Sequence, residues 1–136
     1  MLLEENKAVV RRFVEEVLNQ KNMASAGQLV DSNGVDQLKA SLTMYLVLTA
    51  FPDFRVNIEH MIAEDDKVTV LSTFSGTHKG EFMGIPGTGK GVTGKMTNSF
   101  RIAQGKIVES RQTYDPWGLV QQIAPNAFSH VASSVD

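Results

Sequence analysis

Hydrophobic periodicity changes once along this chain, at Pro52, and that change sets the class of fold. Before Pro52 the apolar residues recur at helical spacing. Phe13, Val14, Val17 and Leu18 make one stripe, which Val9 and Val10 extend. Glu4, Glu5, Lys7, Arg11, Arg12, Glu15 and Glu16 fill the opposite, solvated face. The pattern predicts a first helix over Leu3–Asn19, a second over Met23–Val30 and a third from Val35 to about Ala50. Leu38, Leu42, Tyr45, Leu46 and Leu48 are expected to be buried on the third. Asp31-Ser32-Asn33-Gly34 reads as the turn before it, and Pro52 stops it.

After Pro52 the period is two. Phe54, Val56, Ile58, His60 and Ile62 alternate with Arg55, Asn57, Glu59 and Met61, which predicts a half-buried strand. Glu64-Asp65-Asp66-Lys67 is a hairpin turn. A second strand over Lys67–Thr77 carries Val68, Val70, Ser72 and Phe74 on one face. A third spans about Val92 to Ala103, Gln104-Gly105 turns it, and a fourth covers Lys106–Asp115. Pro116 opens a short last helix that ends at Ile123. Helices followed by hairpin-linked strands predict an α+β domain: a curved antiparallel sheet with N-terminal helices on its concave face. A chain of 136 residues with 42% hydrophobic content supports one core, here assigned to residues 1–123. Residues 124–136 form a Ser- and Ala-rich tail prone to fraying.

Composition removes several function classes. The net charge is −2, and no basic stripe interleaves with aromatics, so no nucleic-acid partner is expected. There are no cysteines, which excludes disulfides, thiolate metal sites and Cys nucleophiles and suits a cytoplasmic location. His60, His78 and His130 are scattered without ligand spacing, so neither a metal nor another cofactor is expected. No apolar run is long enough for a membrane span, and the first residues lack a signal-peptide core.

Between the second and third strands lies the run Gly76-Thr77-His78-Lys79-Gly80-Glu81-Phe82-Met83-Gly84-Ile85-Pro86-Gly87-Thr88-Gly89-Lys90. Its glycines and proline mark a long, elaborated turn. The run resembles a segment of SnoaL-like proteins, polyketide-cyclase relatives in the nuclear-transport-factor-2-like superfamily that includes ketosteroid isomerases. Asn6-Lys7-Ala8-Val9-Val10-Arg11-Arg12-Phe13, Ala50-Phe51-Pro52-Asp53-Phe54-Arg55-Val56, Phe100-Arg101-Ile102 and Gly105-Lys106-Ile107-Val108-Glu109 carry the same resemblance. Together the similar stretches cover Glu5–Leu29, Gly34–Glu109 and Trp117–Ile123. The resemblance implies a cone-shaped domain with a pocket, and a homodimer formed through the outer sheet face. Arg55, Thr69, Leu71, Thr73, Thr97, Ser99, Arg101, Glu109 and Arg111 would lie on that face.

Two departures from the family pattern stand out. The connection between the second and third helices, Val30 to Gly34, is shorter than in the family and leaves out the stretch that supplies a base carboxylate in ketosteroid isomerases. Asp31 is the nearest carboxylate and reads as a turn or cap residue. The positions of the family's cyclase Asp and His correspond to Gln112 and Asn98. A neutral amide is no general base near neutral pH.

If Asn98 and Gln112 face a pocket, alternation puts Met96, Phe100, Ser110 and Tyr114 beside them, with Lys106 and Val108 in the same phase of the fourth strand. That lining suits a small, hydrophobic, mostly uncharged ligand. A filled core is the other reading of the same residues. Tyr114, a donor to an oxyanion, and Asp115 are the candidate catalytic groups, Asp115 reading first as a helix cap. His60 shares the apolar phase of the first strand and Trp117 is placed over the pocket's open end, so both complete the substrate-binding set. The function implied is an isomerase, cyclase or hydrolase acting on an apolar or cyclic metabolite. A non-catalytic ligand binder or a dimeric scaffold is the alternative.

Overall fold

The computed structural model describes residues 2–39, 44 and 46–125. Helix α1 covers Leu2–Arg12 and continues as a π-helical stretch over Phe13–Asn19. Helix α2 covers Met23–Leu29 and α3 covers Ser32–Lys39; Leu46–Ala50 is again π-helical. Strands β1 (Arg55–Glu64), β2 (Lys67–Thr77), β3 (Gly91–Ala103) and β4 (Lys106–Tyr114) follow, and α4 (Pro116–Ile123) closes the order. The sheet is antiparallel throughout in the order β1-β2-β3-β4. Among the described residues no helix is long and apolar enough to cross a membrane.

Several helix boundaries differ from the sequence pattern. The third helix begins at Ser32 rather than Val35, because Asp31 Oδ1 accepts the Gly34 N–H at 2.7 Å and turns the expected loop into a capped first turn. Gly34 is required there: a Cβ would collide with Val30 Cγ1 and lie 2.7 Å from Asp31 Oδ1. Leu48, expected in the core, is 48% exposed. The neighbouring Met44 and Ala50 are buried instead. The expectations for Leu42, Tyr45 and the tail beyond Pro125 lie outside the described residues, as do the side chains of Leu38 and Leu46.

Two β-bulges shape the sheet. Ile58 pairs with Ser72 and His60 with Leu71, so Glu59 is an extra residue in β1. Beyond it the alternation inverts. Met61 and Ala63 turn toward the core, while His60 is exposed and Ile62 is 58% exposed. The second bulge sits at Val108, between the pairs Arg101↔Glu109 and Ile102↔Ile107. It buries Ile107 and corrects the expected phase of Lys106 and Val108. Past it, Phe100, Asn98 and Met96 stand opposite Ser110, Gln112 and Tyr114, as alternation predicts. Each extra residue bends its strand, and the sheet curves around one concave apolar face.

The helices cover that face. Phe13 meets Phe100 edge-on at 5.7 Å between ring centroids, and Val10, Val14, Val17 and Leu18 are buried alongside. Side-chain amides replace missing strands at two places. Asn19 exchanges two hydrogen bonds with the backbone of Val56 on the outer edge of β1, at 2.7 and 3.0 Å. Gln122 does the same for Thr93, at 2.9 and 2.8 Å, where β3 runs on past the end of β4.

The long turn is an ordered cap over the end of the helical segment at Ala50. Lys79 and Gly80 both donate their N–H to the Ala50 carbonyl. Gly80 lies so close to Thr49 that a Cβ would collide with its carbonyl oxygen. Phe82 and Ile85 bridge across a tight turn in which Met83 and Gly84 take φ of 50° and 82°. Phe82 is buried 5.6 Å from the Phe51 ring. The cap is joined to the β2 end by Asp53, which accepts from the Thr77 N–H and hydroxyl at 2.6 and 2.7 Å.

These contacts set the sign of three substitutions, read from urea unfolding midpoints. Phe13→Ala is expected to cost about 3–5 kcal/mol. Gly80→Ala is expected to cost about 2 kcal/mol, because backbone must move. Gly27→Ala, in α2 with nothing within 4 Å of a new Cβ, is expected to gain about 0.5–1 kcal/mol.

Candidate functional site

Three rows of the sheet carry the residues singled out from sequence. Asn98 stands beside Gln112, Phe100 beside Ser110 and Met96 beside Tyr114. Met96, Asn98 and Phe100 are buried, Gln112 and Tyr114 are half-buried, and Ser110 is exposed. The structure therefore brings six of the expected residues onto adjoining positions of β3 and β4.

Two polar atoms in this group are buried without a protein partner: Asn98 Oδ1 and the Tyr114 hydroxyl. A buried polar group left unpaired costs about 1–3 kcal/mol, so such atoms are uncommon in a core built for stability alone. Tyr114 and Asn98 are diagonal neighbours across the β3–β4 pair, a spacing of about 7–8 Å between Cα atoms that long side chains can bridge. Burial holds the Tyr114 hydroxyl above its usual pKa, so it stays protonated and can donate.

Beside these rows is a cavity of about 210 Å³. Buried Phe13, Val30 and Ile107 form its floor, Gln112 is half-buried in its wall, and exposed Gln37, Glu109 and Ser110 form its rim. Its volume is below the about 300 Å³ expected of a drug-sized pocket. The short connection after α2 forms one side. Val30 makes a single parallel bridge to Ile107, and the Asp31 N–H donates to the Ile107 carbonyl at 3.1 Å.

Three expected site residues lie elsewhere or in other roles. His60, turned outward by the Glu59 bulge, lines a separate polar groove of about 450 Å³ with Glu4, Lys7 and Arg11 of α1 and Glu15 of the π-helical stretch after it. Its placement on the apolar phase of β1 is thereby corrected. Asp115 is exposed and caps α4, its Oδ1 accepting the Gly118 N–H at 3.0 Å. Trp117, in the first turn of α4, is 46% exposed. Among the described residues no three His, Asp or Glu side chains group as metal ligands would.

The cavity residues Val30, Gly34, Gln37 and Ile107 were not legible as site residues. Ile107 carried a usable signal. Two adjacent apolar residues, Ile107-Val108, break strict alternation and mark the bulge that turns Ile107 inward.

Residues 8–123 match the SnoaL-like polyketide cyclase family. No functionally curated protein matches the chain. Solved structures share its fold. AclR of Streptomyces galilaeus, a candidate hydroxylase, is 25% identical, covers 90% of this chain and 98% of its own, and superposes with a TM-score of 0.78. A candidate SnoaL-like polyketide cyclase from Jannaschia sp. CCS1 is 24% identical over 89% of this chain and 92% of its own, with a TM-score of 0.79. IdmH of Streptomyces antibioticus, a candidate polyketide cyclase, is 21% identical over 86% and 96%, with a TM-score of 0.72. The cone of helices on a curved sheet and the sequence match agree: this chain belongs to the SnoaL-like polyketide cyclase family of the nuclear-transport-factor-2-like superfamily.

Proposed function

We propose that the protein binds a small, largely apolar cyclic metabolite against the β3–β4 face and rearranges it, as an isomerase or cyclase would. The observation that carries this reading is the pair of buried, unpartnered polar atoms, Asn98 Oδ1 and the Tyr114 hydroxyl, on the inner face of β3 and β4. Tyr114 supplies a hydrogen bond to an oxygen on which charge develops. Asn98 accepts a donor from the ligand, and Gln112 lies on the way in from the cavity rim. Family membership and the cyclase and hydroxylase names of the structural neighbours support small-molecule chemistry. A second reading, ligand binding without turnover, is favoured by the amides at the family's acid and base positions and by the modest cavity.

Two opposite effects of Tyr114→Phe test the site. Removing an unpaired buried hydroxyl leaves the free protein as stable or more so. The same change weakens a ligand that uses the hydroxyl about 3- to 10-fold. The measurement is a thermal-shift screen of steroids, cyclic terpenoids, aromatic polyketides and their epoxides, with hits titrated into both proteins and assayed for turnover. A hit with equal affinity for both proteins removes Tyr114 from the site. Bound hits that are never turned over leave the binding-only reading.

We also propose that the outer sheet face pairs two copies of the chain. The rows Ile62–Thr69–Ser99–Arg111 and His60–Leu71–Thr97–Thr113 cross that face. Their centre is small, and it presents Leu71 at 38% exposure beside Ile62. Arg101, Glu109 and Arg111 supply charges of both signs around it, which suits a self-complementary contact. Light scattering is expected to give twice the chain mass of 14.9 kDa, falling to one chain mass for Leu71→Arg. A monomeric wild type at micromolar concentration rules the pairing out.

A further inference from the structure

The cap over Ala50 contains a buried imidazole bonded as the neutral ring. His78 has no solvent exposure. Its Nδ1 accepts the Thr88 N–H at 3.2 Å and lies 3.0 Å from the Thr88 hydroxyl. An accepting Nδ1 places the proton of the neutral ring on Nε2. Nε2 is buried without a hydrogen-bond partner. The ring lies against Phe51, at 5.6 Å between centroids, and Phe51 lies against Phe82. A second proton would have to go onto Nδ1, which would lose the Thr88 N–H bond and keep only the Thr88 hydroxyl oxygen as an acceptor. It would also place a charge in an apolar site.

The same ring closes the segment in sequence. Backbone bonds from His78 to Lys90 and from Gly89 to His78, 2.8 and 2.7 Å long, pair the two ends of the cap. Thr88, four-fifths of the way along, is fixed by the imidazole itself. Besides its two bonds to Ala50, the cap is anchored by Phe82 and Ile85.

We infer that residues 78–90 are an acid-released strap, held shut by neutral His78 and opened by its protonation, which uncovers Phe51 and Phe82. The charged groups on the elements around the ring are Lys79, Glu81 and Lys90 of the strap and Asp53 beside the helical segment. Asp53 is occupied by Thr77. Burial lowers the pKa of the imidazole, and backbone groups at Ile85 and Gly80 offset this in part. The sign follows. An imidazole whose pKa is lower in the closed form than in the open form favours opening as pH falls below about 6.5, the free value. The opening equilibrium then rises about tenfold per pH unit until the closed form itself titrates.

Amide hydrogen exchange on the full chain, corrected for intrinsic rates, reads this directly. Protection of Lys79, Gly80 and Gly89 is expected to fall several-fold, about fivefold at most, between pH 6.5 and 5.5, while the β2–β3 ladder keeps its protection. His78→Asn keeps an acceptor near the Nδ1 position and cannot titrate, so its strap should exchange at a pH-independent rate. Imidazole NMR of the wild type gives an independent readout. A His78 ring that titrates near 6.5 while Gly89 stays protected overturns the inference. So does the same pH response in His78→Asn.

Discussion

The molecule is organised by the need to cover one apolar concave surface. Four antiparallel strands present Val56, Val68, Val70, Phe74, Met96, Phe100, Ile102 and Ile107 on the same side. A sheet of this kind is stable only when a second layer removes that side from water. The stripe of the N-terminal helix supplies the layer, with Phe13 against Phe100 near its middle. Curvature matters as much as coverage. The bulges at Glu59 and Val108 bend the outer strands, and the Phe13–Val30–Ile107 cavity lies beside the second of them.

An open sheet also has ends, and the polar backbone there needs partners. The protein meets this with side chains more than with extra strands. Asn19 stands in for a neighbour at Val56, Gln122 for one at Thr93, and Val30 touches β4 at a single residue. The glycine-rich segment ends the β2–β3 hairpin in the same economical way, with both of its N–H donors at Lys79 and Gly80 sharing the Ala50 carbonyl. Against this background of satisfied groups, the unpartnered atoms of Asn98, Tyr114 and His78 are conspicuous. Two lie on the face assigned to ligand, and the third lies in the strap.

Most of the architecture was readable because it rests on periodicity. The helical stripe, the switch at Pro52, the turns at Asp65-Asp66 and Gln104-Gly105 and the Asp115-Pro116 start of the last helix all declare themselves locally. What stayed hidden was whatever depends on a count across strands. Glu59 looks like an ordinary outward residue, yet it is the insertion that sends His60 to the solvent side. The run Met61-Ile62-Ala63 is the one local trace, since three apolar neighbours cannot all face one layer. The π-helical widening at Phe13–Asn19 leaves no sequence trace that we can identify. The site rows Asn98–Gln112 and Met96–Tyr114 were legible because no bulge intervenes between them.

The Glu59 bulge has an evolutionary corollary. Loss of a single codon there would restore the plain pleat and exchange every side chain that β1 presents beyond it, bringing an imidazole and an isoleucine inward in place of Met61 and Ala63. A chain built on this scaffold can thus trade the chemistry of a whole wall by insertion or deletion of one residue, with no substitution anywhere else in the strand.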